Sequence, residues 1–214
     1  MKELNNRLNL IAKKLEKNNM KAYIVSSKDE IRDVIKKLIN KGDTIACGGS
    51  MSLKECGVID LISNGDYNYI DRNTMEAHDA FIKAFSADTY LCSCNAITEN
   101  GELYNVDGNS NRIAAIAYGP TSVIMVVGIN KIVKNLDEAA KRVKTIAAPK
   151  NCIRLNINSY CSNKGKCKSL INDNPEMCEG CHSDSRICCN YLISARQRIK
   201  DRIKVILVPE ELGF

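Results

Sequence analysis

The chain has no tryptophan, three phenylalanines and 5% aromatic residues in all, so it lacks the stacking platforms on which single-stranded nucleic acid is held. Its net charge of +6 comes from 31 basic and 25 acidic residues spread along the sequence, and the one local concentration, Arg196 to Lys204, has no interleaved aromatics. Nucleic acid is therefore not an expected partner. Long apolar runs are missing as well. No stretch approaches the roughly 18 uninterrupted apolar residues of a membrane span, and MKELNNRLNL has no continuous apolar core of the kind a secretory signal carries. The expectation is a soluble, cytoplasmic chain with no membrane insertion. Histidine is scarce, at two, whereas cysteine is abundant, at eleven. In a reducing cytosol those cysteines are thiols or metal ligands rather than disulfides. With 214 residues, 44% hydrophobic, the chain is long enough for one α/β core, residues 1–214, and a small appendage.

Leu4, Leu8, Ile11 and Leu15 place one apolar stripe on an N-terminal helix, which packs on the core and could also serve a homo-oligomer. Tyr23-Ile-Val25 reads as a strand, and Ser27 with Glu30 as a capping box for a helix that buries Ile31, Val34, Ile35 and Leu38. Thr44-Ile-Ala-Cys47 is the next strand. It runs into Gly48-Gly49-Ser50 and a further helix, the order in which backbone N–H groups can approach an anion; a tight turn with a serine cap is the plainer reading. After a strand at Tyr67–Ile70, Thr74 can cap a helix whose first turns carry Glu76 and His78. That imidazole suits acid–base work at neutral pH with Glu76 as its partner, or it is simply a surface group.

Ala87 to Arg112 is the densest part of the sequence. Thr89-Tyr-Leu-Cys92 reads as a buried strand, and Ala96-Ile97, Asn100-Gly101 and Leu103–Val106 as a hairpin. The cluster Asp107-Gly-Asn109-Ser-Asn111-Arg112 is surplus to that turn. It either caps the helix beginning near Asn111 or lines a pocket in which Arg112 holds a carboxylate or phosphate while Asn95, Asn109 and Asn111 read hydroxyls or carbonyls. Cys92 and Cys94 stand at its edge, either as small core residues or as reactive thiols. Ser122–Val127 is a central strand, and Asp137–Ala147 a helix ended by Pro149. Strands alternating with helices predict an α/β fold with a mostly parallel sheet and ligands at the carboxyl ends of its strands. Val205–Val208 returns to that sheet.

Residues 151–190 form a cysteine-rich excursion holding seven of the eleven cysteines and few periodic apolar residues. Such a segment needs a staple, which four thiolates on a metal would provide. Cys178-Glu-Gly-Cys181 is a knuckle suited to a metal or cluster, and thiolate ligation suits zinc and iron–sulfur alike.

The motifs Asn95-Ala-Ile-Thr98, Gly101-Glu-Leu103, Asp107–Arg112, Tyr118-Gly-Pro120 and Val126–Ile132 resemble those of the LUD-domain family, typified by lactate utilization protein C. Gly48-Gly-Ser50, Thr74–His78 and Ile203–Leu207 extend the resemblance over nearly the whole chain. It implies a Rossmann-like fold similar to ribose-5-phosphate isomerase, glucosamine-6-phosphate deaminase and the CoA transferases. It also raises Gly48, Gly49, Ser50, Asn95, Asp107, Asn109 and Asn111 as substrate-binding residues, and Glu76, His78 and Arg112 as catalytic ones. Cys161-x5-Cys167 and Arg186-Ile-Cys188 look like family cysteine patterns, and Gly180-Cys181 matches a third in its cysteine, so the implied ligands are Cys161, Cys167, Cys181 and Cys188. Cys178 is the first substitute, and Cys189 stands where the pattern has asparagine. The company the family keeps favours a [4Fe–4S] cluster over zinc and lactate-oxidation iron–sulfur proteins as partners. Two functions follow. One is a redox enzyme or enzyme subunit acting on a small carboxylate or phosphorylated metabolite. The other is a non-catalytic assembly or electron-relay partner of a lactate-oxidising complex with a structural zinc.

Overall fold

The computed structural model describes residues 2–172 and 175–214. In chain order the N-terminal part contains α1 (Lys2–Lys17), β1 (Lys21–Ile24), α2 (Ile31–Leu38), β2 (Thr44–Cys47), α3 (Met51–Glu55), α4 (Val58–Asn64), β3 (Asn68–Ile70) and α5 (Ala77–Phe85). The middle holds β4 (Thr89–Cys92), β5 (Ala96–Thr98), β6 (Leu103–Asp107), α6 (Asn111–Ala117), β7 (Ser122–Gly128) and β8 (Ile132–Val133). Last come α7 (Leu136–Arg142), α8 (Ala148–Arg154), α9 (Tyr160–Lys164), β9 (Asn190–Ser194) and β10 (Ile203–Val208).

Six strands form a sheet in the order β1-β10-β7-β4-β2-β3, and every neighbouring pair is parallel. The apolar run of β7 shows why this sheet is covered on both sides. Val123, Met125 and Val127 face α1 and α6, packing with Leu8, Ile11, Leu15 and Ile116, while Ile124 and Val126 face the opposite layer with Ile31, Ile35, Leu53 and Ile62. Each of these side chains contributes about 1.5–3 kcal/mol by leaving water. The closing strand β10 is inserted between β1 and β7, so the chain returns to the sheet after the cysteine-rich segment. A second, smaller sheet, β8-β5-β6-β9, carries the hairpin of β5 and β6 and packs its Tyr104 and Val106 against Ala139, Ala140, Val143 and Ala148. Among the described residues, no helix is long and apolar enough to cross a membrane.

Three local expectations change. Ser27 makes no side-chain cap, and the Glu30 carboxylate instead accepts the Ser26 amide at 3.0 Å. Thr74 lies ahead of α5 rather than at its start, and its hydroxyl donates to the Asp71 carbonyl at 2.9 Å. Pro149 does not end the helix. A π-helical turn, Val143–Ala147, joins α7 to α8, and Pro149 stands in the first turn of α8. The wider turn accommodates a residue that has no N–H to donate and would clash in a regular helix interior.

Candidate functional site

The loops at the carboxyl ends of β2, β4 and β6 meet over the sheet, and Arg112, at the start of α6, joins them. Its Nε donates to Asp107 Oδ1 at 3.0 Å, Nη1 to the Ser93 carbonyl and to Asn105 Oδ1, and Nη2 to Asn95 Oδ1 and the Val106 carbonyl. A guanidinium has five N–H donors, and all five are engaged within the protein. Arg112 is thus the hub that fixes this cleft, with no donor left over for a ligand. Asp107 is equally occupied: its second oxygen accepts the amides of Arg112 at 2.9 Å and Ile113 at 3.0 Å, capping α6. Ser110, the residue next to the helix, has φ of +64° and offers no side-chain cap.

Gly48 is part of the same hub. Its amide donates to the Leu91 carbonyl, and a Cβ on it would lie 2.9 Å from the Tyr90 hydroxyl and 3.2 Å from Arg112 Cδ. This glycine admits the arginine. Ser50 caps α3 by accepting the Leu53 amide at 3.3 Å, and α3 is only five residues long, so its dipole is weak.

The cleft has two lobes. A small inner lobe is lined by Gly49, Ser50, Cys94, Asn95, Asp107, Arg112 and Lys131, with Arg154 at its rim. A larger, more open outer lobe shares Gly49, Asp107 and Arg112 and adds Gly48, Asn109, Asn111 and Ile187. The glycine loop, Asn95 and the Asp107–Arg112 cluster therefore come together. Glu76 and His78 do not join them. Both are exposed at the start of α5 and line neither lobe.

Lys131 was not among the residues singled out by the sequence. It is buried, and its Nζ donates to Ser52 Oγ and Ser93 Oγ, each at 2.8 Å. Burial pushes its pKa down to about 8, with Arg142 and Arg112 adding repulsion. The available signal is the one charge in the run Val126–Val133, just beyond the central strand, where parallel sheets place ligands. Cys94 lines the inner lobe, and burial raises its thiol pKa against the pull of Lys131, Arg142 and Arg112. Cys92 is a core residue whose thiol burial pushes up to about 12.

Beyond the second sheet lies another, smaller cavity, and Cys161, Cys167, Cys181 and Cys188 all line it. Among the described residues no three His, Cys, Asp or Glu side chains are gathered closely enough to hold a metal as they stand. The thiols are engaged with neighbours: Cys161 Sγ is 3.7 Å from Cys152 Sγ, Cys167 Sγ accepts from Ser169 Oγ at 3.4 Å, and Cys188 Sγ accepts from Arg186 Nε at 3.3 Å. The donor set nevertheless fits a thiophilic metal or cluster. Four soft donors surround one space, and the buried Tyr104 hydroxyl beside them has no partner among the described residues. An O–H left so is a donor that a sulfide or thiolate could receive. Arg186 holds the surrounding loop by donating to the carbonyls of Cys178, Cys181 and Cys188. Gly180 lets it in, since a Cβ there would stand 2.9 Å from the guanidinium carbon. Cys178 and Cys189 are exposed and do not line the cavity. A separate small pocket lies between the two and shares Val143 and Cys188 with this cavity and Asn95 and Asn151 with the cleft.

The LUD domain model matches residues 8–208. Among solved structures, a DUF162 family protein from Deinococcus radiodurans is similar over 95% of this chain and 97% of its own, with 14% identity and a TM-score of 0.53, a likeness of fold. The β subunit of eIF2B from Chaetomium thermophilum matches at 17% identity over 52% of this chain and 41% of its own, with a TM-score of 0.37, too low to carry any conclusion. Comparison with curated proteins finds no match.

Proposed function

The chain belongs to the LUD-domain family, and on that premise we propose that it is a lactate-utilization-type redox protein. It binds a small carboxylate or phosphorylated metabolite in the cleft around Arg112 and carries a [4Fe–4S] cluster on Cys161, Cys167, Cys181 and Cys188. The observation that carries this reading is the common cavity of those four cysteines, with a small pocket at Asn95 and Cys188 bordering both it and the cleft. A cluster held there would supply one-electron exchange. The chain's own residues do the rest. Arg112 and Asp107 fix the cleft walls, Asn95 is held at their junction, Tyr104 offers its proton into the cysteine cavity, and Arg186 keeps the cysteine loop closed.

One observation favours a second reading. With Glu76 and His78 exposed, no imidazole among the described residues lines the cleft, which suits an electron-relay or assembly partner of a lactate-oxidising complex, with zinc as the staple. The deciding experiment adds L-lactate to anaerobically purified protein and follows its visible absorbance. Bleaching that is lost in Cys188→Ser, with one lactate oxidised to pyruvate for every two clusters reduced, supports the enzyme. Retained colour with no response to lactate, together with reduction by an artificial one-electron donor, supports the relay. A colourless protein with one bound zinc supports the structural staple.

A further inference from the structure

We propose that Lys131 is the anion-binding residue of the inner lobe, receiving an oxygen of a carboxylate or phosphate group on a small metabolite. The inference deepens the reading of the cleft given above and rests on it. Its starting point is the position of Lys131 directly after β7, the strand at the centre of the sheet, where the chain leaves at the carboxyl end.

Lys131 is 2% exposed. Its two protein partners are hydroxyls, which carry no charge. Ser52 Oγ donates onward to the Leu212 carbonyl and Ser93 Oγ to the Cys94 carbonyl, so both present lone pairs to Nζ and Nζ is the donor in each contact. An ammonium has three N–H groups. The third has no protein acceptor among the described residues, and the residue lines the inner lobe.

Among the described residues no carboxylate lies within ion-pair distance of this charge. Among the described residues neither Lys131 nor the buried Arg142 behind it forms an ion pair. Glu55 receives the Gly213 amide at 2.7 Å, and Asp107 is paired with Arg112. Arg142 directs its donors to the carbonyls of Asn95 and Asn130. A buried cation without a counter-ion costs folding free energy, and such a group is well matched to a ligand that brings the negative charge. Arg112 cannot take that role because its five donors are engaged. Arg154 is exposed, and its Nε and Nη2 already serve Asn151 Oδ1.

The test is calorimetric titration of the full-length protein at pH 7 with inorganic phosphate and, separately, with L-lactate. The comparison is between wild type, Lys131→Met and Lys134→Met, a neighbouring exposed lysine. The expected result is that wild type and Lys134→Met bind at least one anion, and that Lys131→Met binds it at least tenfold more weakly. Which anion binds tells phosphorylated from simple carboxylate ligands. A melting temperature of Lys131→Met no lower than wild type without anion excludes a merely structural tether, whose loss would lower it. Equal binding by wild type and Lys131→Met overturns the role of Lys131 and leaves the cleft reading standing. Binding of neither anion by wild type overturns both.

Discussion

Asp107 and Arg112 hold each other twice: the side chains meet at 3.0 Å through Oδ1 and Nε, and the other Asp107 oxygen accepts the Arg112 amide at 2.9 Å. One carboxylate therefore caps α6 and orients the guanidinium that ties the Ser93–Asn95 segment to β6. Replacing Arg112 with alanine leaves a largely buried carboxylate unpaired and removes the donors to Asn95 and Asn105. We expect a loss of about 3–5 kcal/mol in urea unfolding, the usual cost of breaking a buried pair. Arg112→Lys, with one charge but no fork, recovers only part of it.

Gly48 and Gly49 differ in what a methyl group would meet. At Gly48 the obstacles are the buried Tyr90 hydroxyl and Arg112, whereas at Gly49 it is the exposed, flexible guanidinium of Arg72. Gly48→Ala is expected to destabilise by about 1–3 kcal/mol, and Gly49→Ala by less. Paired thermal melts check the order, and equal effects would contradict the packing role of Gly48.

Much of this arrangement is legible in the sequence, and the exceptions have physical causes. The parallel sheet follows from apolar runs such as Ser122–Val127 alternating with helical stripes, and the structure has it. The hairpin follows from Asn100-Gly101, and Gly101 adopts φ of +84°. Asp107, Asn95 and Arg112 were recognisable as a cluster. Their hydrogen-bond saturation was not, because it depends on which atoms meet across loops far apart in the chain. Glu76 and His78 looked functional by residue type alone, and only the placement of α5 shows them facing solvent. Lys131 was hidden by its apolar neighbours: one charge in a run such as Val126–Val133 gives no periodic signal.

Lys131 also makes stability depend on pH. Its pKa in the folded protein, about 8, lies below the ordinary 10.5. Above about pH 8 and up to that ordinary value the unfolded chain therefore binds more protons, and stability from this site rises with pH. Below pH 8 the whole penalty is present. The groups facing it are Cys94, Arg142, Arg112 and Glu55, and burial outweighs them. The urea midpoint of wild type should gain more between pH 7 and 9 than that of Lys131→Met. Anion binding should weaken over the same interval as the charge is lost.

The cysteines divide by position. Cys161, Cys167, Cys181 and Cys188 face the common cavity, while Cys189 is exposed outside it. Serine at any of the first four is expected to reduce bound metal by half or more, and Cys189→Ser to leave it unchanged. Arg186→Ala, which frees the Cys178, Cys181 and Cys188 carbonyls, is expected to speed metal loss to a chelator without removing a ligand.

Iron, sulfide and zinc content of protein purified without oxygen bears most directly on the proposed cluster. The prediction is a brown protein with about four irons and four sulfides per chain, the composition of one cubane cluster, lost together in Cys181→Ser. A folded, colourless protein with neither iron nor sulfide, whose four cavity cysteines all react with a thiol reagent, would contradict it.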